Sequence, residues 1–163
     1  MKDITKTFSL ILFFIFIILL SGCIKKKIKI ENTKYFSYSY TVGNYINGSV
    51  YYKIEIDENG NYIAYFKSDG VDEENQLKKE IDEDTIIELE NILNKNNIDK
   101  WNGFDKVDKY VLDGNSFSLY YKNGNNEIIE SSGYMVYPNG YTDFKNDIKI
   151  FFNTLFNNVL ENE

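Results

Sequence analysis

The sequence predicts an α+β fold in which an antiparallel sheet of about four to five strands is covered on one face by two helices. Short runs of alternating apolar and polar residues predict the strands, and turn residues such as Asn123-Gly124 separate these runs in pairs. Two longer segments with apolar residues at i, i+3 and i+4 spacing predict the helices. The expected order is (β)-β-β-α-β-β-α, in which two hairpins follow a possible N-terminal strand.

The first half of the chain contains the possible N-terminal strand and the first hairpin. Alternation begins at Tyr35, with Phe36, Tyr38 and Tyr40 on one side, which fits either a half-buried strand or a linker docked on the domain. Residues 49–57 form the second predicted strand, and residues 61–67 return after the turn 57–60. The oxygen-bearing residues around this turn do not follow the spacing of an EF-hand calcium loop, so turn formation is the better interpretation.

The first helix follows a polar segment, residues 68–80, which is predicted to be a solvated loop. Asp82 is a suitable N-cap, and Ile81 can pack against Ile86 in the first turn. The helix is expected to end within residues 94–97. Its apolar stripe consists of Ile86, Leu89, Ile92 and Leu93.

The second half of the chain contains the second hairpin and the second helix. Residues 115–122 and 127–131 are the predicted strands, joined by the turn signal Asn123-Gly124. The helix begins at Thr142 and is expected to lie across the sheet. Its apolar stripe consists of Phe144, Ile148, Phe151, Phe152, Leu155 and Val159.

Aromatic residues outside the predicted strands and helices form the candidate binding surface. Trp101 can serve as a ligand platform or, more commonly for such a residue, fill the end of the core. The connection 134–141 contains the only proline and three tyrosines, and it is either a binding loop or a loop held against the core. If a binding surface exists, we expect it at Trp101, Tyr134, Tyr137 and Tyr141, because rigid aromatic side chains provide contact area at low entropy cost.

The composition excludes several classes of function. The chain has no His and one Cys, which removes Ser-His and Cys-His nucleophiles, thiolate zinc sites and internal disulfides. All 18 basic residues are Lys against 25 acidic residues, so nucleic acid is not an expected partner. We predict no catalytic residue, metal site or cofactor, although a hydrolase that uses two carboxylates needs neither His nor Cys.

The N-terminus has the pattern of a cleaved export signal. Lys2 and Lys6 precede an apolar run at residues 8–20, which is too short to cross a bilayer as a helix. This run ends in Leu20-Ser21-Gly22-Cys23. An ordinary cleavage site followed by an incidental cysteine is the alternative interpretation.

These four residues resemble the lipobox of bacterial lipoproteins at every position. The resemblance implies that diacylglycerol is attached to the sulfur of Cys23 and that cleavage occurs between Gly22 and Cys23. Residues 1–22 would then be the signal peptide, residues 23–34 a tether and residues 35–163 a single domain. The protein would face away from the cytoplasm, on the outer leaflet of the plasma membrane or, in a two-membrane bacterium, on the outer membrane. The lysines of the tether either assist binding to an anionic leaflet or solvate a spacer.

The layout of residues 50–160 resembles small domains of unknown function in bacterial lipoproteins. The likeness includes the Asp113-Gly114 turn, the Asn123-Gly124 turn and the Gly-Tyr-x-x-Tyr-Pro connection that begins at Gly133. It implies no catalytic residues. The expected function is a non-enzymatic binding or envelope-structural module whose partners are the membrane and an envelope protein or glycan. An inhibitor of an exported enzyme that presents the 134–141 loop is the first alternative, and a carboxylate-based hydrolase is the second.

Overall fold

Seven strands form one mixed sheet in the computed structural model, which describes residues 27–41, 49–68, 71 and 75–156. The strands are β1 (Thr33–Thr41), β2 (Ser49–Ile56), β3 (Tyr62–Lys67), β4 (Leu77–Ile81), β5 (Phe104–Val107), β6 (Ser116–Asn123) and β7 (Ile128–Tyr134). The helices are α1 (Glu83–Lys95) and α2 (Tyr141–Leu155), and a short 3₁₀ helix covers Ile98–Trp101. The strand order in the sheet is β4-β3-β2-β1-β6-β7-β5. The α+β class is therefore confirmed.

The predicted number of strands and the prediction that all of them pair antiparallel are both wrong. β4 lies in the segment predicted to be a loop, and its three central residues, Lys78 to Glu80, are all exposed. β5 is a short edge strand that pairs in parallel with β7, so the sheet is mixed rather than antiparallel. Both strands lie at the sheet edges, where charged side chains protect unpaired backbone groups and remove the alternating pattern. The order in the described chain is β-β-β-β-α-β-β-β-α.

The core lies between one face of the sheet and the two helices. β1 is central, pairing with β2 on one side and β6 on the other, and it directs Phe36, Tyr38 and Tyr40 inward. Phe144 of α2 contacts the Tyr38 ring edge to face at 4.9 Å between centroids. We call this covered side the inner face and the opposite side the outer face. Because both described helices lie on the inner face, side chains of the outer face remain partly exposed.

The first helix begins and ends close to the predicted positions. Asp82 accepts hydrogen bonds from the backbone N–H and the hydroxyl of Thr85, at 2.9 and 2.7 Å, so the side chain caps α1 as predicted. These bonds, that of the Thr85 hydroxyl first, hold the pKa of Asp82 below its usual value. The buried residues of α1 are Ile86, Leu89 and Leu93. The last position of the predicted α2 stripe, Val159, lies outside the described residues.

The chain contacts the domain before β1 begins. Ile30 is only 6% exposed, and its carbonyl accepts a hydrogen bond of 3.0 Å from the Asn94 amide of α1. The carbonyl of Lys29 accepts another of 3.0 Å from the Asn123 amide. Thr33 donates to Glu90 through both its backbone N–H and its hydroxyl, at 2.8 Å each. Residues 28–34, which the sequence assigns to the tether, thus include a segment that is packed into the domain.

Candidate functional site

Trp101 lies inside the domain and not on its surface. Its side chain is 3% exposed, and its ring contacts Phe144 at 5.1 Å and Phe117 at 6.3 Å between centroids. The indole N–H donates a 3.2 Å hydrogen bond to the carbonyl of Asn139. The 3₁₀ helix after α1 places the ring against the inner face, where it fills the end of the core and holds the connection that precedes α2.

Tyr137 and Tyr141 form one stacked pair beside Trp101. Their ring centroids are 4.5 Å apart, and the Tyr141 ring is 6.2 Å from that of Trp101. The hydroxyl of Tyr137 donates to the Asn115 carbonyl at 3.2 Å, and the hydroxyl of Tyr141 accepts from Tyr38 at 3.0 Å. The structure thus brings together three of the four predicted surface residues, and their rings and hydroxyls are largely engaged with the domain itself.

Tyr134 lies apart from this cluster, at the end of β7 on the outer face. Its hydroxyl donates a 2.8 Å hydrogen bond to the carbonyl of Leu112 and holds the loop between β5 and β6. That loop carries the most exposed apolar side chains of the described chain, since Tyr110 is 96% and Leu112 is 94% exposed. Sequence reasoning attributed no role to these two residues.

A cleft of about 650 Å³ lies beside the aromatic cluster. Trp101 and Tyr137 contribute to one wall, and Lys100, Lys106 and Asp143 supply charged groups at its rim. The Nζ atom of Lys106 lies 5.3 Å from the centroid of the Phe104 ring, so this ammonium group is held against the wall of the cleft. The cleft can accept a polar or anionic group, but the aromatic rings that suggested a binding surface contribute little exposed area to it.

The outer face carries a second group of aromatic side chains, to which the sequence assigned no role. Tyr35 of β1 and Tyr120 of β6 contact each other edge to face, with 5.5 Å between centroids. Tyr51 of β2 and Tyr65 of β3 lie on the same face, as the strand registers show. A tyrosine on the polar side of each of these strands is the sequence signal that could have revealed this aromatic group.

We expect the domain to lose stability at alkaline pH, because three tyrosines with raised pKa values are buried or partly buried. Burial raises the pKa of Tyr121 to about 12 and that of Tyr141 to about 12, and it raises the pKa of Tyr38 further. The unfolded chain ionises its tyrosines near pH 10, so above this pH unfolding releases protons and the free energy of unfolding falls as pH rises. Below about pH 10 this contribution is fully present.

Urea unfolding followed at several pH values between about 9 and 12 tests this expectation. The midpoint should fall above about pH 10, and Tyr121→Phe should make that fall less steep, whereas Tyr110→Phe at an exposed position should leave it unchanged. A wild-type midpoint that stays constant up to about pH 12 would contradict the prediction.

The lipobox residues Gly22 and Cys23 lie outside the described residues, as do the predicted signal peptide and the first part of the tether. Within the described ranges, no group of three or more acidic, Cys or His side chains could hold a metal ion. None of the helices in that part of the chain is long and apolar enough to cross a membrane. Comparison of the sequence with protein-family models and with curated proteins finds no match.

Proposed function

We propose that this protein is an exported lipoprotein, held to a membrane through lipidated Cys23, whose folded domain is a non-enzymatic binding or envelope-structural module. The Leu20-Ser21-Gly22-Cys23 sequence supports the anchor, and the absence of His and of further Cys supports the non-enzymatic role. Two acyl chains would hold the protein at the membrane where a single chain would not.

The lipobox carries the anchor proposal, and the docked segment before β1 limits how far the domain can lie from the proposed lipid. In the described part of the chain, which starts at residue 27, Ile28 already packs against the core, and five peptide steps separate it from Cys23. A fully extended chain of that length spans roughly 17 Å. The domain would therefore be presented close to the bilayer surface, which suits a module that acts on a membrane-proximal ligand.

Incorporation of labelled fatty acid tests the anchor. The full chain should incorporate label in a bacterial host, and Cys23→Ser should abolish it because the acceptor sulfur is lost. Ser21→Ala, which keeps a small residue at the neighbouring position, is the matched control and should label normally. Equal labelling of wild type and Cys23→Ser would overturn the anchor.

Inhibition of an exported enzyme is a second candidate function, supported by the loop between β5 and β6. The connection 134–141, which the sequence favoured for this role, is held to the domain through Tyr137 and the buried Pro138. The neighbouring loop instead projects Tyr110 and Leu112 into solvent. If this loop inserts into an enzyme, Tyr110→Ala with Leu112→Ala should abolish inhibition of exported hydrolases without changing the unfolding midpoint.

A further inference from the structure

The central part of the outer face is basic in an acidic protein, whereas the flanking strands carry the carboxylates of Glu80, Asp105 and Glu130 on that face. On its four neighbouring strands β3, β2, β1 and β6, this face carries Lys53, Lys67 and Lys122, with Lys34 at its edge, against the single carboxylate of Glu55. The whole chain has a net charge of -7. Within the described residues, Lys53 pairs with Glu55 at 2.9 Å, while Lys34, Lys67 and Lys122 form no salt bridge. This part of the sheet is therefore complementary to an anionic partner.

Two shallow depressions on this face combine lysine, tyrosine and serine. The larger, about 600 Å³, is lined by Lys34, Tyr35, Ser37, Tyr120 and Lys122. The smaller, about 320 Å³, is lined by Ser39, Ser49, Tyr51, Lys53, Lys67 and Gln76. No described carboxylate lines either depression. They are adjacent, because the first is centred on β6 and β1 and the second on β2 and β3.

The tyrosines of the outer face are held in position before any ligand binds. Tyr35 and Tyr120 meet at an interplanar angle of 84°. Lys53 lies over the Tyr65 ring at 4.1 Å. Burial, followed by the Tyr35 hydroxyl, raises the pKa of Tyr51. Rigid rings lose little conformational freedom on binding, so the face is suited to recognition.

We propose that the outer face binds a linear anionic glycan, which crosses from the Tyr35 and Tyr120 depression on β6 and β1 to the Tyr51 depression on β2 and β3. Tyrosine rings offer apolar faces to the C–H faces of sugar rings, and serine hydroxyls can both donate to and accept from sugar hydroxyls. The lysines of the outer face pair with acidic groups along the glycan. Neighbouring strands are about 4.8 Å apart, so the three steps from β6 to β3 span about 14 Å, which accommodates several sugars.

The proposal rests on the proposed function, since an exported and anchored domain is surrounded by envelope glycans. A second copy of the chain is disfavoured as the occupant, because a symmetric contact would place the lysines of one outer face against those of the other. A bilayer is disfavoured because Tyr35, Tyr51 and Tyr120 line depressions and are partly buried, whereas interfacial anchors insert an apolar face.

Titration of the purified full chain in detergent with polygalacturonate, a linear glycan with a carboxylate on each sugar, tests the proposal. Neutral dextran and poly(dT) are the comparison probes. Phosphatidylglycerol vesicles are assayed separately without detergent on wild type and Lys34→Glu, because insertion of the lipid at Cys23 is common to both proteins. Polygalacturonate should bind, with an affinity that falls as salt rises, and the comparison probes should bind at least about tenfold more weakly. The measurement does not depend on lipid at Cys23, so its failure is distinguishable from failure of the labelling experiment.

Charge-reversal variants on the outer face and elsewhere on the domain localise the glycan-binding site. Lys34→Glu and Lys122→Glu should each weaken polygalacturonate binding by about tenfold, and Tyr120→Ala should do the same. Lys149→Glu at an exposed position of α2 makes the same charge change elsewhere and should leave affinity within about twofold. Lys34 is exposed, so its substitution does not endanger folding.

Four outcomes would overturn the proposal. They are absence of polygalacturonate binding, equal or tighter binding of poly(dT), a loss of vesicle binding of about tenfold in Lys34→Glu, and an equal loss of polygalacturonate affinity in Lys34→Glu and Lys149→Glu. The second would identify a nucleic-acid surface and the third a membrane-docking surface. The fourth would show that attraction depends on total charge and not on the outer face.

Discussion

Replacing Phe152 by Ala is expected to lower the free energy of unfolding by about 3–5 kcal/mol. Phe152 is 0% exposed and lies on the side of α2 that faces the sheet. Its ring centroid is 4.7 Å from that of Tyr52 and 6.5 Å from that of Phe36, so it joins the helix to two central strands. Removing the ring leaves a cavity between elements that cannot close without moving the helix.

Urea unfolding followed by circular dichroism measures this effect, with Thr154→Ala as the control. Thr154 is exposed on the same helix, and its substitution should change the free energy of unfolding by no more than about 0.5 kcal/mol. Because small domains are stable by only about 5–15 kcal/mol, the loss at Phe152 should be visible as a large fall in the midpoint. A loss below about 1 kcal/mol would show that the core closes around the missing ring.

Periodicity in the sequence predicted the strands and helices that bury alternate residues on one side. β1 fits this description, since Phe36, Tyr38 and Tyr40 are inward and Ser37 and Ser39 are outward. The same rule missed β4, because only its terminal residues contact the core. The direction of β5 could not be predicted, because its partner β7 is distant along the chain and four residues carry no signal of parallel pairing.

Burial distinguishes the alternatives that the sequence left open for the aromatic residues. The sequence favoured Trp101 as a residue that fills the end of the core over a ligand platform, and its ring is enclosed by Phe117 and Phe144. The outward tyrosines of the strands received no role from the sequence, although Tyr35 and Tyr120 meet there across two neighbouring strands. A pattern within one strand shows which face a residue occupies, whereas a surface built from several strands requires their order, which the sequence did not supply.

Asn123 is a single residue whose local sequence signal, a turn, does not show its contacts with a distant segment. Asn123-Gly124 predicted a turn, and β7 does follow β6 through this turn. Asn123 itself is the last residue of β6 and is 0% exposed. Its side-chain oxygen accepts from the backbone N–H groups of Asn125 and Glu127 at 3.0 and 2.9 Å, and its amide donates to the Lys29 carbonyl and the Glu127 carboxylate at 3.0 and 2.9 Å. One side chain thus joins the turn to the segment before β1.

Asn123→Ala is therefore expected to lower the free energy of unfolding by about 3 kcal/mol, since each buried group left without a partner costs about 1–3 kcal/mol. The segment before β1 should also loosen, and trypsin should cleave after Lys29 faster than in the wild type. Urea unfolding and the rate of that cleavage measure the two effects. Asn125→Ala is the matched control in the same turn, because Asn125 is exposed and contributes only its backbone N–H to the contact.

The cleavage result bears directly on the distance between the domain and the proposed anchor. If Asn123→Ala releases the segment, the free connection from Cys23 lengthens from Ile28 to about Thr33, which doubles its maximum reach to roughly 34 Å. If cleavage after Lys29 is no faster than in Asn125→Ala, the contacts with Asn94, Tyr121 and Glu90 hold the segment without Asn123. In that case the short connection does not depend on Asn123, and the loss of stability should be confined to the β6–β7 turn.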